Sequence, residues 1–150
     1  MKLTLLGTGC PSIDYKRCGS SNLISSKKTK ILIDCGSGVT QRLNQSGNSS
    51  AEIDALLLTH LHTDHVIDFY QLIISSWHSD RDSIWKIYGP KGTKKFVDQI
   101  FFSWKSEREL RISYEKRKSI KALKYKVYEF NKKGSIIIND IKIKYFEVDH

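Results

Sequence analysis

The chain has 150 residues, 39% of them hydrophobic and 11% aromatic, and its 25 Lys and Arg against 16 Asp and Glu give a formal charge of +9. That length allows one domain, or part of one, with a real core, and the composition excludes a disordered chain. No apolar stretch approaches the ~18 residues of a membrane span, Met1 leads straight into strand pattern without a signal-peptide profile, and Cys10, Cys18 and Cys35 are odd in number and lack a Cys-x-x-Cys pair. The reading is a cytoplasmic protein with reduced, packed thiols and no membrane partner; a ligand role for Cys18 or Cys35 is the lesser alternative.

In chain order, hydrophobic patterning predicts strands over 2–7, 21–26 and 30–34, then a helix over 38–46 behind Gly36-Ser37-Gly38. The polar stretch from Asn44 to Ser50 turns the helix end. The apolar run Ala55-Leu56-Leu57-Leu58 predicts a buried strand over 54–59. Val66, Phe69, Tyr70, Ile73, Ile74 and Trp77 share one helical face, which predicts a helix over 66–77. A strand over 84–88 and a helix over 91–104 follow, and residues 105–121 are charged and ambiguous. The segments 123–130, 135–138 and 141–148 alternate as antiparallel strands do, with turns over 131–134 and at Asn139-Asp140. Strands mixed with helices that cover a face predict an α/β or α+β sandwich half without an internal boundary.

Between the strand over 54–59 and the helix over 66–77 stands Thr59-His60-Leu61-His62-Thr63-Asp64-His65. Four metal-ligand side chains fall within six residues, and imidazole with carboxylate suits zinc, iron or manganese. Residues two apart in an extended segment share a side, so His60 and His62 can converge on one ion. Asp64 and His65 fall where the chain turns into the helix and can face a second ion. Two ions in one site clamp both the attacked and the leaving oxygen. Asp34 supports two readings equally, a partner that orients a metal ligand or a turn carboxylate. His78 reads as a helix-end surface histidine, and Asp68 as a partner for a helix N-terminus. The turn from Gly89 to Thr93 reads as a strand-to-helix connection more readily than as a phosphate cradle.

Further segments carry a resemblance. These are the opening 1–9 (MKLTLLGTG), Pro11-Ser12, Ser20-Ser21-Asn22, Asp34-Cys35-Gly36-Ser37-Gly38 behind Ile31-Leu32-Ile33, Gln41-Arg42-Leu43, and Tyr88-Gly89-Pro90-Lys91-Gly92-Thr93. With the His-x-His-x-Asp-His motif they resemble the metallo-β-lactamase fold superfamily, and most closely its ribonuclease Z and arylsulfatase-like branch. The resemblance runs from residue 1 to about 100 and resumes at Val148-Asp149-His150. It implies an αββα sandwich holding two divalent metal ions, zinc first, with manganese or iron as alternatives. His60, His62 and His150 are then expected on one ion and Asp64 and His65 on the other. Asp64 is expected to act catalytically by orienting the attacking water. His62, where a Glu would point to diiron oxidoreductases, points to hydrolysis. A bridging aspartate and a last histidine are expected beyond His150, so the 150 residues are expected to be the N-terminal half of the domain, partnered by a missing C-terminal half.

The expected activity is a ribonuclease Z-like phosphodiesterase that matures the 3′ end of a tRNA precursor. Between Lys86 and Lys133 stand 15 basic and 5 acidic residues, interleaved with Trp104, Tyr114, Tyr125 and Tyr128. Such a segment attracts polyanions and offers rings for base stacking, which agrees with RNA as a partner. By the same resemblance, Thr63 stands where tRNA-processing members usually carry Gly. It keeps a second reading beside the first: a same-fold hydrolase of a sulfate ester, cyclic nucleotide or lactone. A non-catalytic module that binds metal or RNA is a third. A homodimer is compatible with all three.

Overall fold

The apolar runs become the strands of one mixed sheet whose spatial order follows chain order: β1 (Lys2–Gly7), β2 (Ser21–Ser25), β3 (Lys30–Ile33), β4 (Ala55–Leu57), β5 (Trp85–Gly89) and β6 (Tyr125–Glu129). This computed structural model describes residues 1–149. β1, β2 and β3 pair antiparallel, while β3, β4, β5 and β6 pair parallel. Parallel neighbours need crossovers, and helices supply them. These are α1 (Val39–Gln45) between β3 and β4, α2 (Thr63–Val66) and α3 (Phe69–His78) between β4 and β5, and α4 (Thr93–Ser103) and α5 (Lys105–Glu115) between β5 and β6. β7 (Lys133–Ile138) and β8 (Ile141–Phe146) form a separate antiparallel hairpin.

Alternation along the strands fills two cores. Leu23, Leu32, Leu56, Trp85 and Ile87 face the helices and bury Leu43, Phe69, Leu72, Trp77, Val97 and Phe101. Ile31, Ala55 and Leu57 face the other way and receive Ile138 and Ile141 of the hairpin. β4 is buried on both faces, which is why its sequence reads as an unbroken apolar run. The layers are therefore helix, sheet and sheet, three successive layers of the αββα sandwich. On the hairpin side, the edge strand β1 leaves Leu3 and Leu5 exposed. Trp77 and Trp85 anchor the helical side, and each buried indole N–H has a partner: Trp77 donates to the Ser119 carbonyl at 2.8 Å, Trp85 to the Ser76 hydroxyl at 3.1 Å.

Two expectations are corrected and one open reading is resolved. The strand expected over 123–130 is β6, and it joins the main sheet parallel to β5, with Ile87 opposite Val127, rather than antiparallel to a neighbour. The α4–α5 crossover is long enough to return the chain in that direction. The helix expected over 66–77 begins within the motif as α2, breaks at Ile67–Asp68 and resumes as α3. The ambiguous stretch from residue 105 is helix α5. It buries no residue and is laced by i,i+4 pairs of Lys105 with Glu109 and of Arg111 with Glu107 and Glu115. His150 lies outside the described residues.

Candidate metal centre

β3 and β4 end side by side, with Ile33 opposite Leu57. The next residue after β3 is Asp34, held in the left-handed backbone region at φ 58°. Few side chains other than Gly, Asn and Asp occupy that region, and doing so costs of order 1–3 kcal/mol. The conformation turns the Asp34 carboxylate, which is 2% exposed as a residue, under the end of β4. There Oδ1 accepts the Thr59 backbone N–H at 2.7 Å and Oδ2 accepts the Thr59 hydroxyl at 2.8 Å. Oδ2 also accepts from His65 Nδ1 at 2.8 Å. An ionised carboxylate only accepts, so His65 carries its proton on Nδ1 and its lone pair on Nε2. Of the two readings open for Asp34, its contacts match a partner that orients His65 rather than a turn carboxylate.

The backbone ties the same two segments together. Cys35 N–H donates to the His65 carbonyl at 2.8 Å, and Asp68 N–H to the Cys35 carbonyl at 3.0 Å. Gly36 permits that approach, because a Cβ built there would stand 2.2 Å from the Asp64 carbonyl oxygen. Cys35 itself is fully buried, and burial, with Asp68 and Asp34 nearby, pushes its thiol well above the ordinary range. It is a packing residue.

The motif gathers at this corner. His60 follows β4, His62 caps α2, and Asp64 and His65 lie in the α2 turn rather than in a loop. The His60 ring lies 4.6 Å from that of His62 and 4.1 Å from that of His65, centroid to centroid. Asp64 Oδ2 stands 3.6 Å from His65 Nε2. The rings rest against one another. Among the described residues, no group of three or more His, Cys, Asp or Glu side chains is placed to hold a metal ion. The donor chemistry nonetheless fits a divalent ion: three imidazoles and a carboxylate share one corner, and one of the imidazoles has its tautomer fixed by a buried carboxylate, as metal-binding histidines do.

The remaining candidates have other partners. Asp68 does serve a helix N-terminus, but that of α1, through Thr40 N–H at 2.7 Å. The Gly89–Thr93 turn is a strand-to-helix connection, and the anion at its amides is internal: Gly92 and Lys94 N–H each donate to Glu129 Oε1 at 2.9 Å. His78 lies at the end of α3, half-buried against Glu115 at 3.1 Å. The three cysteines are free thiols, and Arg42 Nε donates to the Cys18 sulfur at 3.2 Å. Among the described residues no helix is long and apolar enough to cross a membrane. Sequence reasoning missed Thr59, whose only signal was its place at the start of the motif. It also missed a groove of about 560 Å³ beside the motif, walled by Leu61, Val66, Phe69, Tyr70, Phe96 and Trp104.

Comparison with known proteins agrees with this fold. Residues 1–150 match the family described as "Anti-Pycsar protein Apyc1". Ribonuclease Z of Mycolicibacterium gilvum (strain PYR-GCK) is 38% identical over 118 residues, covering 76% of this chain and 41% of that protein. Ribonuclease Z of Mycolicibacterium paratuberculosis is 44% identical over 100 residues, covering 65% and 36%. Among solved structures, the metallo-β-lactamase fold protein YhfI from Bacillus subtilis superposes with a TM-score of 0.67 at 20% identity, over 93% of this chain and 49% of that one. The short form of human tRNase Z superposes at 0.64 and 26% identity, over 86% and 44%. The chain thus spans about two fifths of the length of these curated relatives. It belongs to the Apyc1 family, within the metallo-β-lactamase fold superfamily.

Proposed function

We propose that the protein to which these residues belong is a metal-dependent phosphodiesterase of the ribonuclease Z type, with RNA, and in particular the 3′ end of a tRNA precursor, as its substrate. The observation that carries the reading is the cluster of His60, His62, Asp64 and His65 at the carboxyl ends of parallel strands, braced by one buried carboxylate. His60 and His62, with His150, would hold one ion, and Asp64 and His65 a second, zinc being the first choice and manganese or iron the alternatives. Bound ions would supply positive charge for the oxygens of a phosphodiester and lower the pKa of water. The chain's own part is orientation and proton handling: Asp34 keeps the His65 lone pair on Nε2, and Asp64 Oδ2 takes up the proton of the attacking water. Similarity to proteins named ribonuclease Z supports RNA. So does a surface feature: exposed Lys86 and Lys126 lie opposite one another across β5 and β6, and two residues nearer the strand ends exposed Tyr128 stacks at 4.8 Å on half-buried Tyr88.

The groove favours a second reading. Its volume suits a small ring system, and Glu107, Glu109 and Glu115 neutralise part of the basic segment along α5. A cyclic nucleotide or another small phosphodiester is the substrate on that reading. One experiment separates the two. The full-length protein, supplied with zinc or manganese, is assayed on a tRNA precursor and on 3′,5′-cyclic mononucleotides, with Asp64→Asn as control. The RNA reading expects cleavage of the precursor that weakens steeply with salt, by a log–log slope of about −0.7 per phosphate contacted. Turnover confined to cyclic nucleotides, with a flat salt response, favours the second reading. No Asp64-dependent hydrolysis of either overturns both.

A further inference from the structure

We infer that Thr59 is a positioning residue that passes the influence of Asp34 to His60, so that one buried carboxylate fixes the tautomers of two imidazoles of the cluster. The inference rests on the metal-site reading for its consequence but not for its geometry. The Thr59 hydroxyl has a single hydrogen. It stands 2.8 Å from Asp34 Oδ2 and 3.0 Å from His60 Nδ1. The carboxylate can only accept, so the hydroxyl hydrogen is directed at Asp34. Toward His60 the same oxygen can then only accept, so His60 Nδ1 must carry a proton and the neutral ring keeps its lone pair on Nε2. The reverse assignment would leave the hydroxyl oxygen and the Asp34 carboxylate facing each other at 2.8 Å with no hydrogen between them. His65 reaches the same tautomer by direct contact with Oδ2. His60 and His65, whose rings lie 4.1 Å apart, therefore present the same nitrogen as lone-pair donor.

The relay is held at two points. Thr59 N–H donates to Asp34 Oδ1 at 2.7 Å while its hydroxyl donates to Oδ2. The β-branched side chain has few rotamers to choose from, so the hydroxyl stays between its partners. Thr59 is exposed, which separates this role from core packing and makes the residue a safe one to change.

The test is made on the full-length protein labelled with ¹⁵N-histidine, near pH 8, where ordinary imidazoles are neutral. NMR reads which ring nitrogen bears the proton, and competition with a chromophoric chelator reads affinity for Zn²⁺ alone. The wild-type chain is expected to show both His60 and His65 protonated at Nδ1. Thr59→Val keeps the shape and removes the hydroxyl. It should shift the His60 proton toward Nε2, leave His65 unchanged, and weaken zinc roughly 10- to 100-fold, the usual effect of losing an outer-shell partner. Thr59→Ser should restore the His60 tautomer, which a purely structural role for the threonine methyl would not do. A wild-type chain with the His60 proton on Nε2, or a Thr59→Val chain in which it stays on Nδ1, overturns the relay. An altered tautomer with unchanged zinc affinity overturns its bearing on the metal. A full-length wild-type protein with the expected tautomers and no zinc uptake counts against the metal site under Proposed function, and it leaves the relay supported.

Discussion

Gly36→Ala tests whether backbone approach, rather than side-chain choice alone, builds the centre. A methyl at residue 36 would stand 2.2 Å from the Asp64 carbonyl oxygen, 2.6 Å from the Ser20 nitrogen and 2.6 Å from the Gly19 carbonyl carbon. All three are backbone atoms, so no rotamer change relieves the overlap, and the segments must separate by about 1 Å to reach ordinary contact distances. That movement strains the Cys35 N–H bond to the His65 carbonyl, the Asp68 N–H bond to the Cys35 carbonyl, and the Gly36 N–H bond to the Ser20 carbonyl. Loss of two of these bonds costs about 2 kcal/mol at roughly 1 kcal/mol each, and overpacking adds about 1–3 kcal/mol. The expected destabilisation is about 3–5 kcal/mol, a large share of the 5–15 kcal/mol typical of a domain. Urea unfolding followed by tryptophan fluorescence measures it as a lower midpoint at unchanged slope. The damage should also reach His65, so zinc affinity should fall even at temperatures where the variant remains folded. A Gly36→Ala chain within about 0.5 kcal/mol of wild type, with unchanged zinc affinity, would refute the close-approach argument.

Asp34→Asn should leave the chain folded but exchange one accepting oxygen for an amide donor. His65 can then keep a bond only by accepting at Nδ1, which moves its proton to Nε2; ¹⁵N NMR should show that shift, and zinc should bind roughly 10- to 100-fold more weakly. Native-state alkylation near pH 8 should modify Cys10 and Cys18 while Cys35 reacts only after unfolding, because its thiol is buried and pushed upward; peptide mass spectrometry showing early labelling of Cys35 would contradict this. Acid should destabilise the fold. Glu52 is held below the ordinary carboxylate range by Lys30, Asp98 by Lys94, Glu115 by Arg117 and Asp140 by Thr29. In the acid range the native chain therefore binds fewer protons than the unfolded one. The stabilisation is fully present above the unfolded values of 3.8 and 4.5 and is lost as pH falls through the lower folded values. Urea midpoints at about pH 7, 4 and 3 should decline in that order, and a midpoint that rises on acidification would reverse the sign.

What the sequence made legible is what neighbouring residues decide. β4 announced itself because burial on both faces demands an apolar run, and the motif behind it because four ligand side chains in six residues have few other uses. α5 was not legible, since a helix with no buried residue carries no apolar stripe and is held instead by charge pairs that resemble any solvated segment. β6 alternates like a strand of a hairpin, and nothing local reveals that its partner is β5 or that they run parallel; the crossover decides that. Asp34 is the sharpest case. A carboxylate after an apolar strand is as good a turn cap as a ligand support, and the two readings differ only in what lies 31 residues further along the chain. The backbone at φ 58° and the contacts to Thr59 and His65 show a carboxylate that holds His65 rather than a turn. The motif therefore names the donors, while the tautomer that His65 presents is set by a residue outside it. A search for the motif alone would accept a chain with Asn at residue 34 or Val at residue 59 as equally competent, and by the hydrogen-bond arithmetic at this corner it would not be.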